Sequence, residues 1–209
     1  MTVTVDTTKA LTSLVALKRW LEIDENKVTA KDDLYRDLIN KYSDVIADYL
    51  ERKIVQTTYT NEDYNGTGTP SLFLNNYPII SVTSVYEDSG RDFGAGTLLT
   101  EDTDYIVEKP EGVLRKQTGY SLYAGATKWP KGIKAIRVTY VAGYATIPSP
   151  LEQACNMIIS RVLTSASKTG LVSQSLDGHS VSYRAWRKDP EILELLNAYK
   201  STRYIGGWE

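Results

Sequence analysis

The spacing of apolar and polar residues changes period twice along the chain and divides it into helical and strand-like stretches. From Thr8 to about Glu22, Leu11, Leu14, Val15 and Leu21 fall at helical steps with Lys9, Lys18, Arg19 and Glu22 between them, which predicts an amphipathic helix. Thr29 followed by Asp32 makes a capping-box-like start. After it Leu34, Leu38, Tyr42, Val45, Ile46 and Tyr49 recur every three or four residues to about Arg52, predicting a second helix. Polar Asp24-Glu25-Asn26-Lys27 is the linker of this helical hairpin.

Strand signals then take over. Ile54 to Tyr59 is rich in β-branched residues, and Tyr64-Asn65-Gly66-Thr67-Gly68 reads as a turn. Leu72-Phe73-Leu74, Ile79 to Tyr86, Tyr105-Ile106-Val107, Val113-Leu114 and Ile133 to Val141 are successive strand candidates. The Gly, Asp, Pro and Asn clusters between them favour antiparallel pairing. Arg137, Thr139 and Val141 alternate with Val138, Tyr140 and Ala142, Gly143 supplies a turn conformation, and Ser149-Pro150 restarts the chain as a helix, with Ser149 and Glu152 as its capping box. In that helix Leu151, Ala154, Cys155, Ile158, Ile159, Val162, Leu163 and Ala166 form a wide apolar stripe to a stop near Gly170, the expected spine of the core. Val172 to Tyr183 reads as a hairpin turning at Asp177-Gly178, and Asp189-Pro190 opens a last helix through Ile192, Leu193, Leu195, Leu196 and Tyr199. The pattern therefore predicts an α+β fold: a core of about four helices from residues 1–53 and 149–209, carrying a C-terminal β-hairpin plus helix, with an antiparallel β-rich domain inserted over 54–148.

Composition narrows the function classes. At 209 residues and 42% apolar content the chain can bury one sizeable core, or a main domain with a large insertion. Twenty-six acidic and 24 basic residues leave a formal charge of −2, with no electrostatic footprint for gripping DNA or an anionic membrane. The start Met1-Thr2-Val3-Thr4-Val5-Asp6 lacks the pattern of a signal peptide and no apolar run approaches a membrane span, so the expectation is a cytoplasmic protein. One cysteine, Cys155, excludes an intrachain disulfide framework, and with one histidine, His179, the chain has too few soft ligands for a structural zinc site.

Candidate chemistry is thin. His179 lies near Ser175, Asp177 and Ser180, but no strand-turn-helix elbow surrounds these serines, and a surface-turn histidine is the expectation. Cys155 sits mid-stripe, where cysteine packs as a small hydrophobe. Glu87, Asp88, Asp92 and the run Glu101-Asp102-Thr103-Asp104 lack calcium-loop spacing and read as solvated loop charge. Gly66-Thr67-Gly68 and Gly94-Ala95-Gly96 lack the lysine and following helix of a phosphate loop, so they are turns. No catalytic residue, cofactor or metal is expected. Fifteen tyrosines and four tryptophans against two phenylalanines suit half-buried protein contacts, although a core role accounts for them equally. Tyr199, Arg203, Tyr204, Ile205 and Trp208 place large anchors beside Gly206-Gly207 after the last helix, as in a docking peptide or a tail that packs on its own domain.

Several of these stretches together resemble the head-tail connector (adaptor) proteins of tailed bacteriophages. They are Leu17-Lys18-Arg19-Trp20-Leu21, Tyr49-Leu50-Glu51-Arg52, Tyr77 to Val85, Asp104-Tyr105, the strand from Val138 to Gly143 with its Pro-started helix, and Gly178 to Tyr183. The resemblance spans Leu11 to about Tyr199; the stretch Gly90 to Gly96 and the last ten residues match no shared pattern. It implies a structural virion protein made in the host cytoplasm and located in the neck. Such a protein assembles a homo-oligomeric ring, typically of twelve subunits, beneath the portal protein, joins a tail or stopper protein, and lets DNA pass without specific binding. On that footing the tail anchors Tyr199, Arg203, Tyr204, Ile205 and Trp208 are expected to dock on the portal. The alternative from another class is a β-rich carbohydrate-binding module on a helical scaffold, with Tyr120, Tyr123 and Trp129 as an aromatic platform.

Overall fold

Six consecutive residues, Ala154 to Ile159, are buried on helix α3 (Ser149–Ala166), so its middle is covered on every side rather than along one stripe. Burying isoleucines such as Ile158 and Ile159 contributes about 1.5–3 kcal/mol each. The computed structural model describes residues 3–24, 26–117, 128–166, 173–176, 179–182 and 186–200. The chain divides into two compact units, one from 1–55 and 146–209 and the other from 56–145.

The first unit holds α1 (Leu14–Trp20), α2 (Asp32–Leu50), α3 and α4 (Pro190–Asn197). Helix α1 starts later than its apolar spacing predicts, because residues before it spend their polar groups elsewhere. The Asp6 carboxylate accepts from the Thr8 N–H and hydroxyl, and the Leu11 N–H goes to Ser43 Oγ on α2 at 3.0 Å. Ser13 then caps α1 by accepting from the Ala16 N–H. Helix α2 stops where Glu51 turns left-handed (φ 57°) and Arg52 N–H returns to the Ala47 carbonyl. The predicted capping box of α3 does not form: the helix begins at Ser149 itself, the Glu152 N–H bonds the Pro148 carbonyl, and the Glu152 carboxylate reaches Thr12. Asp189 caps α4 from the predicted position, accepting from Glu191 N–H at 3.1 Å. Between α3 and α4 two short strands pair antiparallel, with Leu176 opposite His179; the predicted turn Asp177-Gly178 lies outside the described residues.

The second unit is antiparallel throughout its named strands. In chain order these are β1 (Thr57–Thr67), β2 (Ser71–Phe73), β3 (Ile79–Glu87), β4 (Leu98–Leu99), β5 (Tyr105–Glu108), β6 (Val113–Lys116) and β7 (Lys131–Ala142). They form a four-stranded sheet ordered β1-β7-β3-β4 and a three-stranded sheet ordered β2-β6-β5. The alternation along β7 places Ile136, Val138, Tyr140 and Ala142 in a core with Leu72, Val85 and Leu114. The turn expected at Tyr64 to Gly68 is a strand as far as Thr67. Gly66 pairs with Gly132 beside a bulge, and a Cβ there would collide with the Pro130 carbonyl oxygen, so that glycine serves a close backbone approach rather than a turn. Gly143, at φ 104°, does make the turn that leads out of β7.

Candidate functional site

Helix α2 carries two apolar stripes, only one of which is buried. Asp32, Tyr35, Ile39, Ser43, Ile46 and Leu50 face the core of the helical unit. Leu34, Leu38, Tyr42 and Val45, four of the six recurring positions that predict the helix, flank it; Leu34 is 46% exposed and the other three are half-buried. The opposite flank is covered by the chain before α1. Asn40 Oδ1 accepts from Asp6 N–H (2.8 Å), Asn40 Nδ2 donates to the Thr4 carbonyl (2.9 Å), and Lys9 pairs with Asp44 at 2.6 Å. That segment borders an open, mainly apolar cavity of about 400 Å³ lined by Val5, Ala10, Leu11, Leu14, Ile147 and Glu152.

Polar groups inside the helical unit act as braces. Lys18, which the sequence pattern placed on the polar side of α1, is buried and donates to Asp32 Oδ2 (2.8 Å) and to the Lys27 carbonyl (2.7 Å). Thr29 Oγ1 donates to the other Asp32 oxygen at 2.5 Å. The Lys18 ammonium first, and then Thr29, hold the Asp32 carboxyl below the ordinary carboxylate range. The start of α2, the linker and α1 are thereby tied at one point. Tyr49 does the same for α4: its hydroxyl donates to Asn197 Oδ1 at 2.8 Å, Trp186 packs edge-on against its ring, and Lys200 lies over its face.

The β-rich unit concentrates its polar chemistry at Glu62. Tyr140 Oη donates to Glu62 Oε2 at 2.6 Å, Tyr64 Oη donates to the same oxygen, and Asn75 Nδ2 donates to Oε1 at 2.7 Å. Burial pushes both phenols well above their ordinary pKa, which keeps them protonated as donors. The cluster pins the turn after β2 to the large sheet. On the sheet's other face Asp63 accepts from Arg137 (2.8 and 3.3 Å), whose guanidinium stacks 4.0 Å from the Phe93 ring centre. Phe93 is brought there by Asp88, which accepts from the backbone N–H groups of Gly90, Asp92 and Phe93 and is held below the carboxylate range chiefly by the Phe93 and Gly90 bonds. Asp88 is therefore a loop organiser, not the solvated charge that its sequence context suggests.

Of the tail residues, Tyr199 is half-buried just past α4, with its N–H on the Leu196 carbonyl at 2.9 Å; Arg203, Tyr204, Ile205 and Trp208 lie outside the described residues. The aromatic platform is not assembled as expected. Trp129 is 1% exposed, with its indole N–H on the Leu114 carbonyl, and belongs to the core, while Tyr120 and Tyr123 lie outside the described residues. Cys155 is buried, and burial pushes its thiol up to about 12, which leaves it protonated and unreactive. The side chains of Ser175, His179 and Ser180 lie outside the described residues. Among the described residues no three His, Cys, Asp or Glu side chains gather as metal ligands, and no helix is long and apolar enough to cross a membrane.

Among the described residues, the polar clusters at Asp32, Tyr49, Glu62 and Asp88 brace the two units from within. The family model described as head completion protein matches residues 10–202, and the chain belongs to that family. Its role is structural: a virion protein of the head-tail junction, as the connector resemblance implies. Compared with curated proteins, the chain matches none. Among solved structures it is similar to a chain of the virion of the native gene transfer agent (GTA) particle, with TM-score 0.53 and 16% identity over 99% of this chain and 97% of that one. That likeness is one of fold. Chains from the neck of the empty GTA particle computed with C6 symmetry and of the native particle computed with C12 symmetry align at TM-score 0.48, with 13% and 12% identity, each over 99% of both chains.

Proposed function

We propose that the chain assembles a homo-oligomeric ring, typically of twelve copies, in the neck of a tailed virion, between the portal protein and a tail or stopper protein. The observation that carries this reading is the family match over nearly the whole chain, residues 10–202. The helical parts, 1–53 and 149–209, build the ring and the portal contact, and the β-rich 54–148 faces outward or toward the next tail component. DNA passes through without specific binding; a formal charge of −2 suits a channel that must not hold the phosphate backbone. The chain catalyses nothing and works without metal or cofactor.

In this reading the C-terminal tail docks on the portal through Tyr199, Arg203, Tyr204, Ile205 and Trp208, since tryptophan, tyrosine and arginine are the residues that anchor interfaces. Truncation after Tyr199 tests it. The shortened protein keeps nearly the same melting temperature, fails to bind portal rings in co-sedimentation, and yields DNA-filled heads that do not join tails. Unfolding of the truncated chain, or normal virion titre without the tail, overturns the docking role.

A further inference from the structure

The helical unit exposes two apolar features on opposite flanks of α2. Leu34, Leu38 and Tyr42 each stand one residue before the buried Tyr35, Ile39 and Ser43, about 100° around the helix axis to one side. Asn40 and Asp44 each stand one residue after Ile39 and Ser43, about 100° to the other side, and hold the segment that borders the 400 Å³ cavity. A twofold contact that joins either feature to its own copy leaves the other exposed. A head-to-tail contact uses both, and its repetition gives a ring where the rotation closes.

Charge points the same way. Exposed Lys31 and Lys41 stand on the stripe side of α2 with one exposed carboxylate, Asp37, between them, which leaves that side net positive. Glu152 lines the cavity and Asp6 lies on the segment beside it, whereas Lys9 and Arg36, cations near that flank, are already engaged by Asp44 and Asp33. We propose that the Leu34-Leu38-Tyr42 stripe of one copy seats in the cavity bordered by Val5, Ala10, Leu14 and Ile147 of the next, with the lysines of one copy facing the carboxylates of the other. This rests on the ring reading above and adds the faces that meet.

Cysteine pairing in the full chain distinguishes the two, because a disulfide forms only where the two Cα atoms approach to about 7 Å or less. The native Cys155 is buried and does not interfere. Under mild oxidation the double variant Leu34→Cys with Ala10→Cys gives a ladder of covalent oligomers. Either single variant gives none, and the two singles mixed give one covalent heterodimer. A covalent dimer from Leu34→Cys alone means a twofold contact and overturns the inference. So does the absence of any ladder while the unmodified chain sediments as an oligomer, an outcome that leaves the ring reading standing. An unmodified chain that stays monomeric at every concentration, with and without portal rings, removes the ring reading and this inference together. In a second readout, Leu34→Asp raises the concentration of half-assembly by about tenfold or more with no change in melting temperature; unchanged assembly counts against the stripe.

Discussion

The helical and β-rich units solve the same packing problem with opposite remainders. In the β-rich unit the large sheet buries one face in the core and covers part of the other with its own loop, Phe93 lying on Arg137. What it leaves exposed is spread over both sheets: Phe73 and Ile106 on the smaller, Ile80, Leu98 and Ile133 on the larger. In the helical unit the apolar remainder includes exposed Val15 and Trp20 on α1 and Val28 in the linker, together with a stripe on one flank of α2 from exposed Leu34 through half-buried Leu38 and Tyr42 to Val45. Isolated exposed hydrophobes are ordinary, whereas a continuous stripe on one rigid element marks a contact surface. In the proposed ring, that difference makes the stripe on α2 the assembling surface, since the exposed residues of the β-rich unit form no comparable line on one rigid element.

The comparison breaks first at the centre of α3. Ile158→Asp puts an unpaired charge where six successive residues are buried, a cost of several kcal/mol that is comparable with the whole stability of a domain. The expected outcome is loss of soluble folded protein; a soluble variant with an unchanged melting transition would show that α3 is not the core. In the β-rich unit Trp129→Ala, which empties a buried indole site, costs about 3–5 kcal/mol by denaturant unfolding, whereas the same change at Trp20, 43% exposed on α1, leaves the unfolding midpoint nearly unmoved. Equal costs at the two tryptophans would erase the distinction between finished core and open flank. Tyr140→Phe removes one donor to Glu62 and is expected to cost about 1 kcal/mol, with Tyr64→Phe similar and the double variant less than their sum, because the phenols share one carboxylate oxygen.

The smallest effect is acid dependence. Asp32 in the helical unit and Asp63 and Asp88 in the β-rich unit have folded pKa values lowered from 3.8 by Lys18, by Arg137 and by backbone N–H groups respectively. A lowered folded value gives stability that is present above pH 3.8 and is lost as pH falls through the folded values. Melting temperature should therefore fall below about pH 4, and Asp32→Asn should flatten that fall for the helical unit alone. An unaltered pH profile in Asp32→Asn would show that the Lys18 pair does not contribute.

Most elements were legible in the sequence where period and punctuation agreed. The strand ending at Ala142, the left-handed Gly143, the apolar run of α3 and the Asp189-Pro190 start of α4 all stand where their residues indicate. The connector resemblance from Leu11 to about Tyr199 likewise agrees with the family match. Two things were hidden, each because a residue's partner lies far along the chain. The buried stripe of α2 contains Asp32 and Ser43, so the apolar recurrence that predicts the helix runs through Leu34, Leu38 and Tyr42 and does not single out the buried face. Asp32 is tolerated there because Lys18 comes to it, and Ser43 because it accepts the Leu11 N–H. Likewise Tyr64 to Thr67 carries turn residues, but Asn65 Oδ1 accepts from Lys134 N–H and Gly66 fits beneath Pro130, so the strand continues. Pairings between residues distant in the chain decide both, and a local period does not report them.

The buried Lys18 ammonium also makes a reporter of the native helical unit. Its charge is held by Asp32 and its hydrogens by two oxygens, so amine acylation in the folded protein will pass over it while modifying exposed Lys31, just before α2, and Lys41 on it. Because the reagent reaches Lys18 only when the α1–α2 junction opens, the rate of its labelling measures how often the helical hairpin comes apart. That rate can be followed in the free chain and in assembled particles by peptide mass mapping, with no engineered probe.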